Sequence, residues 1–233
     1  MATRSAIVSG SSSGIGRAIA ERLLADGWRV QGLDISPATI SASAFEAHRV
    51  DLTRAAETVL LIDGLLAGGS PDAFVHCAGV TRLSPLGALR DEDGQLLWQL
   101  HVDATTRLAN RVIPAMQKSG TGRVVLIGSR SSVGMAGRSQ YAACKAAMVA
   151  LAKSWASEVV TDGVTVNVVS PAATLTPMLQ DPARSATSPR MPPIGRFIEP
   201  REVAALVAYL LSADAAAITG QDVAICGGAS LRR

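Results

Sequence analysis

The sequence predicts one α/β domain built on a doubly wound parallel β-sheet with helices on both faces, and three observations carry this. Short apolar runs alternate with helix-length segments along all 233 residues, the order that produces a parallel sheet. The first run, Ser5-Ala-Ile-Val-Ser9, ends in the glycine turn Gly10-Ser-Ser-Ser-Gly14-Ile-Gly16 and leads directly into a helical pattern. No internal repeat or interdomain linker interrupts the chain, so 1–233 reads as a single domain with ample length for a buried core.

Taken in order, the glycine turn opens a helix through Ile19, Leu23 and Leu24 that closes near Gly27. Strand, glycine turn and helix together offer backbone N–H groups to a phosphate at a helix N-terminus. Gly10 permits the turn, Gly14 allows close approach of a pyrophosphate, and Gly16 allows tight helix–strand contact; Ser13 and Ile15 lie within the same turn. Trp28 to Leu33 is the second strand, with Asp34 at its end, where a carboxylate can accept hydrogen bonds from a ribose and repel a 2′-phosphate, or cap the following turn. Residues 35 to 48 leave little room for a second crossover helix. Arg49-Val-Asp51-Leu52-Thr53 reads as a third strand running into a helix over 55–66, with Asp51 either bonding an adenine amino group or capping that helix.

Ala73 to Cys77 is a fourth strand, ending in Ala78-Gly79. A long helix is expected from about Asp91 to Lys118, with Leu97, Leu100, Leu108 and Val112 on its apolar side. Gly122 to Ile127 is a fifth, buried strand. Beyond it come Ser129 and Ser131, then a helix holding Tyr141 and continuing to about Val160. Gly163 to Val169 is a sixth strand, ending at Ser170-Pro171. Residues 177–196 are proline-rich and aperiodic, as expected of a substrate lid. A helix through Leu211 and a strand over 221–225 complete the chain.

The chemistry centres on Tyr141-Ala-Ala-Cys-Lys145. A tyrosine and a lysine four residues apart share one helix face. A phenol with its usual pKa of about 10 is a poor base near neutrality. An ammonium roughly 5–6 Å away stabilises the phenolate by about 3 kcal/mol at an effective dielectric of ~20, which lowers that pKa by roughly two units. A nearby serine hydroxyl then holds a substrate oxygen while the tyrosine moves the proton.

Composition narrows the partners. Aromatic residues make up 3% of the chain, which leaves no stacking platform for single-stranded nucleic acid. The net charge of +3 and pI near 9.0 come without a dense Lys/Arg run, so no nucleic-acid footprint is expected. Cys77, Cys144 and Cys226 are scattered, with no C-x-x-C spacing for a metal or redox pair. A cytoplasmic protein without metal, signal peptide or membrane span is expected.

From Ile7 to Gly228 the chain resembles the classical short-chain dehydrogenases/reductases. The motifs are Gly10-x-x-x-Gly14-x-Gly16, Asp51-Leu52-Thr53, Ala78-Gly79, the serines before Tyr141-x-x-x-Lys145, Asn167-x-x-x-Pro171 with Thr176, Gly195-Arg196, Thr219-Gly220-Gln221 and Gly227-Gly228. The resemblance implies a single-domain Rossmann fold, hydride transfer between a nicotinamide cofactor and a small alcohol or carbonyl substrate, and a homotetramer or homodimer built on the two long helices. It implies Tyr141 as acid/base, Lys145 as the group that lowers its pKa and holds the nicotinamide ribose, and Thr176 against the carboxamide, with Pro171 and Thr174 beside it. Asp34 favours NAD over NADP. Two other readings keep the fold without the redox step: a nucleotide-sensing protein and an epimerase- or hydratase-like enzyme.

Three departures from the family pattern stand out. His76-Cys77-Ala78-Gly79 replaces Asn-Asn-Ala-Gly, Ala172 stands where glycine follows the proline, and His101 occupies the position of an asparagine that supports a water beside the lysine. Strand register selects Ser129 as the serine that binds the substrate oxygen; the S-x-x-G pattern selects Ser131.

Overall fold

The computed structural model describes residues 3–180 and 189–231. Seven parallel strands lie in the order β3-β2-β1-β4-β5-β6-β7: β1 (Ser5–Ser9), β2 (Arg29–Asp34), β3 (Phe45–Arg49), β4 (Ala73–His76), β5 (Gly122–Ile127), β6 (Val164–Pro171) and β7 (Asp222–Ile225). The order reverses between β1 and β4, which opens a crevice at the carboxyl ends of those strands. Alternate side chains of each strand feed two cores. Ile7, Leu33, Phe74, Val124 and Leu126 pack under α2 (Ala55–Ala67), α4 (Ala104–Ser119) and α5 (Ser139–Val159). Ala6, Val8, Val30, Val75 and Val125 pack under α1 (Gly14–Ala25) and α6 (Pro200–Leu210).

Two boundaries differ from the sequence reading. The third strand is Phe45–Arg49, not 49–53, in parallel register with β2 from Val30↔Phe45 to Asp34↔Arg49. It stops there because the Asp51 carboxylate turns back on its own chain, accepting the Thr53 N–H at 3.0 Å and the Thr53 hydroxyl at 2.7 Å. Side-chain bonds two residues ahead favour a turn over a strand.

The long helix is also not a continuous α-helix. It runs as α3 (Asp91–Trp98), then a π-helical turn at Gln99–Asp103, then α4. A π-turn adds one residue to the spiral and re-aims the side chains around it. His101 sits in its middle, and its backbone carbonyl accepts the Thr105 hydroxyl at 2.6 Å.

Candidate active site

One cavity of about 1100 Å³ lies at the carboxyl ends of the strands, and the predicted site residues converge on its wall. Gly10, Ser13, Gly14, Ile15 and Gly16 line one end. Gly10 adopts φ +71°, and a Cβ there would lie 2.8 Å from the backbone of Ala78, so the turn and the β4 exit require glycine. A Cβ on Gly16 would come 2.0 Å from the Gly10 carbonyl oxygen, which ties the first turn of α1 against the end of β1. Ser13 is the N-cap of α1 but makes no side-chain cap bond. The first-turn N–H groups therefore have no side-chain acceptor, the condition for an anion site. Thr176 closes over the turn; a Cβ on Gly14 would stand 3.1 Å from its methyl.

Asp34 is fixed at the end of β2. One carboxylate oxygen accepts the Ser12 N–H at 2.9 Å and the other the Ser36 N–H at 2.8 Å. It caps the local turn and also lines the cavity. Asp51 and Leu52 line the same end; the Leu52 carbonyl accepts Arg107 at 3.0 Å. Pro171, Thr174 and Thr176 form the wall beyond β6, where the Thr174 hydroxyl donates to the Ala172 carbonyl at 3.0 Å.

At the other end, Tyr141 and Lys145 lie one helical turn apart on α5, both buried and both on the cavity wall. The Lys145 Nζ donates to the Ile127 carbonyl at 2.7 Å and stands 5.8 Å from the Tyr141 ring centre. Burial lowers the lysine pKa to about 8, which still leaves it mainly cationic at neutral pH. Ser129 caps the short 3₁₀ turn Arg130–Val133. Its hydroxyl lies 2.7 Å from that of Ser131 and accepts the Ser131 N–H at 3.2 Å. Ser131 is 2% exposed and Ser129 is half-buried, so Ser129 is the more accessible of the two.

His101 is buried against Ala78-Gly79. Its Nε2 lies 2.8 Å from the Val80 carbonyl, so that nitrogen carries the proton and Nδ1 is an acceptor with no partner among the described residues. A Cβ on Gly79 would lie 2.3 Å from the ring, which explains the glycine there. Burial and the Lys145 charge hold its pKa well below 6.5, so the ring is neutral.

The sequence reading missed a second buried histidine. His76 Nδ1 is 3.0 Å from the Ser9 hydroxyl, which also accepts the N–H groups of Cys77 and Ala78. With both lone pairs of Ser9 used, its hydroxyl donates to His76, and the ring's proton sits on Nε2. That nitrogen lies near the Leu100 carbonyl without hydrogen-bond geometry. Burial drives the His76 pKa down to about 3, with Lys145 adding to the shift. The departure from asparagine at this position was the available signal.

Of the arginines near the expected substrate walls, Arg130 lines the cavity. Arg82 is turned to Asp93, with Nε 3.5 Å from its carboxylate, and Arg184 lies outside the described residues. So do residues 181–188 of the expected lid; Pro177, Met178, Leu179 and Pro189 to Met191 border the cavity on either side of that gap. Among the described residues, no helix is long and apolar enough to cross a membrane. No group of three metal-binding side chains occurs among them either.

The family model described as enoyl-(acyl carrier protein) reductase matches residues 10–230. The 3-oxoacyl-[acyl-carrier-protein] reductase FabG of Escherichia coli K12 is 36% identical over 234 residues, covering 96% of each chain. Its Thermotoga maritima counterpart is 30% identical over 236 residues, covering 95% of this chain and 96% of the relative. Among solved structures, ligand-free aldohexose dehydrogenase from Thermoplasma acidophilum superposes with a TM-score of 0.90 at 27% identity, covering 99% of this chain and 95% of the other. Actinorhodin polyketide ketoreductase with NADPH gives a TM-score of 0.88 at 28% identity, covering 99% and 98%. With the crevice at the strand ends, the Tyr–Lys pair and this coverage together, the chain belongs to the classical short-chain dehydrogenase/reductase family of oxidoreductases.

Proposed function

We propose that the protein is an NAD(H)-dependent reductase or dehydrogenase of a small carbonyl or alcohol, with Tyr141 as acid/base. The observation that carries the reading is that Ser129, Tyr141 and the buried Lys145 share one cavity wall with the glycine turn and Asp34. The residues present fit a dinucleotide. The uncapped start of α1 at Ser13 to Gly16 takes the pyrophosphate, Asp34 the adenosine ribose, and Asp51 with Leu52 the adenine end. Ala78 and Gly79 form the floor, Tyr141 and Lys145 flank the nicotinamide ribose, and Pro171, Thr174 and Thr176 flank the carboxamide. A coenzyme held there would supply one hydride to the carbonyl carbon, or would accept it in the reverse direction.

The chain's own residues handle the oxygen. In the reducing direction Ser129 donates a hydrogen bond to the carbonyl oxygen, which fixes its orientation and stabilises developing charge. Tyr141 delivers its phenolic proton to the same oxygen. Lys145, held by the Ile127 carbonyl, keeps a positive charge close to the phenolate that remains. His101 holds the edge of the Tyr141 ring and offers its Nδ1 to a water on the relay back to solvent.

NADP(H) is the second reading. It has the NADPH-bound ketoreductase on its side and one feature of this chain: Arg49 pairs with Asp34 in register and its Nε donates to the Ile35 carbonyl at 3.1 Å. Asp34 outweighs it, because the carboxylate lines the cavity and Arg49 does not. The 3-oxoacyl specificity named for the relatives makes 3-oxo thioesters the first carbonyl compounds to assay. Turnover followed by NADH absorbance, with both coenzymes, tests the proposal. NAD(H) is expected to give the higher kcat/KM, and Tyr141→Phe to lose nearly all turnover while binding coenzyme. Equal efficiency with both coenzymes overturns the coenzyme assignment, and substantial Tyr141→Phe activity overturns the acid/base.

A further inference from the structure

The cavity is divided by charge. Among the described residues, the carboxylates on its wall are Asp34 and Asp51, both at the adenosine end. The guanidinium groups on its wall, Arg130, Arg138 and Arg190, come from the segments around Ser129, Tyr141 and Met191, and no carboxylate among the described residues of those segments lines it. Arg130 is the informative one. It follows Ser129 directly, is half-buried, and lies within 4 Å of no carboxylate among the described residues. Two of its N–H donors are used, and neither acceptor is charged: Nη1 donates to the Ala229 carbonyl at 3.1 Å and Nη2 to the Met135 sulfur at 3.4 Å.

Arginine carries five N–H donors. The two contacts fix the guanidinium in place and leave the others unsatisfied by the described protein. Withdrawing a cation from water without a counter-charge is unfavourable, so a partner that arrives with the substrate accounts for the arrangement. Leu96, Leu100, Met135, Met178 and Met191 give the same cavity an apolar wall, and a less polar wall strengthens a charge–charge contact made against it. A planar fork matches a carboxylate through two parallel hydrogen bonds. Of the three guanidinium groups only Arg130 directly follows Ser129, so the charge next to the reacting oxygen is one positive group, which favours a carboxylate over a doubly charged phosphate.

On the reading above, that this cavity reduces a carbonyl beside Ser129, we infer that Arg130 is a specificity-determining residue that binds a carboxylate on the substrate. The preferred substrates are then short oxo acids and the corresponding hydroxy acids, with the carboxylate a few bonds from the reacting carbon.

The test compares short 2-, 3- and 4-oxo acids with their methyl esters on the NADH-loaded enzyme. At least one acid is expected to exceed its ester in kcat/KM by about 10- to 100-fold, the range of a charge-assisted hydrogen-bonded pair. Arg130→Gln is expected to bring that ratio to near one, and Arg130→Lys to leave an intermediate ratio with the charge kept and the fork lost. Esters turned over as well as or better than acids overturn the carboxylate site while leaving the reductase intact. A ratio unchanged in Arg130→Gln gives the residue only a packing role, and a keto phosphate preferred over every oxo acid overturns the choice of anion. If neither acids nor esters turn over, the reductase reading fails for both classes. The anion site is still decided by calorimetry on NAD⁺-loaded Tyr141→Phe, where straight-chain carboxylates must bind tighter than the amides of equal length, and only with Arg130 present.

Discussion

The rings of His101 and Tyr141 meet edge to face, with centroids 5.5 Å apart and planes inclined at 83°. The contact joins the π-helical turn to α5 at the proposed acid/base. It also separates two roles for the histidine, a packing ring that positions Tyr141 and a relay group whose Nδ1 holds a water. A neutral imidazole with Nε2–H on the Val80 carbonyl serves both.

His101→Asn keeps a polar side chain but removes the ring, and His101→Ala removes both. On the relay reading, the asparagine variant retains much of the wild-type kcat and the alanine variant loses a large part, on the order of tenfold. A packing role alone leaves the two equally impaired after correction for stability. Solvent isotope effects on kcat supply a readout that packing does not move. Wild-type turnover in a folded, NAD-binding His101→Ala removes the relay.

For the serines, Ser129→Ala is expected to lower kcat/KM by about 100-fold, the usual scale for losing one hydrogen bond to a developing oxyanion. Ser131→Ala is expected to cost much less in turnover. Ser131 is the more buried of the two, and its hydroxyl lies 2.7 Å from that of Ser129, a contact that on this reading orients Ser129. The opposite ranking, measured with the same substrate and coenzyme, reverses the assignment.

Much of this arrangement was legible in the sequence because it depends on local pattern. The glycine turn, the i, i+4 pairing of Tyr141 with Lys145, and the strand–helix alternation each state their geometry in a few residues. The β3 boundary was misplaced because Val50 and Leu52 look like strand residues while the Asp51 carboxylate imposes a turn. The π-turn left no mark, since the apolar spacing of Leu97, His101, Ala104 and Leu108 reads equally well as an uninterrupted helix. The Ser9–His76 contact spans 67 residues and exists only once β1 and β4 pair. Arg130 was visible as a charge near the site, but its lack of a carboxylate partner is a property of the folded wall.

The two buried histidines also make the fold sensitive to acid. The unfolded chain takes up a proton on each ring below the ordinary pKa of 6.5. The folded protein resists doing so down to about pH 3 at His76 and well below 6.5 at His101. The unfolded state therefore binds more protons throughout this window. The histidines' contribution to stability is full well above pH 6.5 and falls as the pH drops through it, by up to about 1.4 kcal/mol per unit for each ring. Lys145 acts at the other end of the scale: its lowered pKa means that stability rises as the pH increases from about 8 toward 10.5. Urea unfolding at pH 6.5 and pH 5.0, a window above the titration of most carboxylates, is expected to show a loss of up to about 3 kcal/mol for the wild type, the unfolded rings being half protonated at the upper pH. His76→Asn, whose side chain does not titrate, is expected to halve that pH dependence whatever its effect on stability at neutral pH. A stability flat between pH 6.5 and 5.0 is incompatible with two rings held neutral, because two protons taken up on unfolding must appear in the slope.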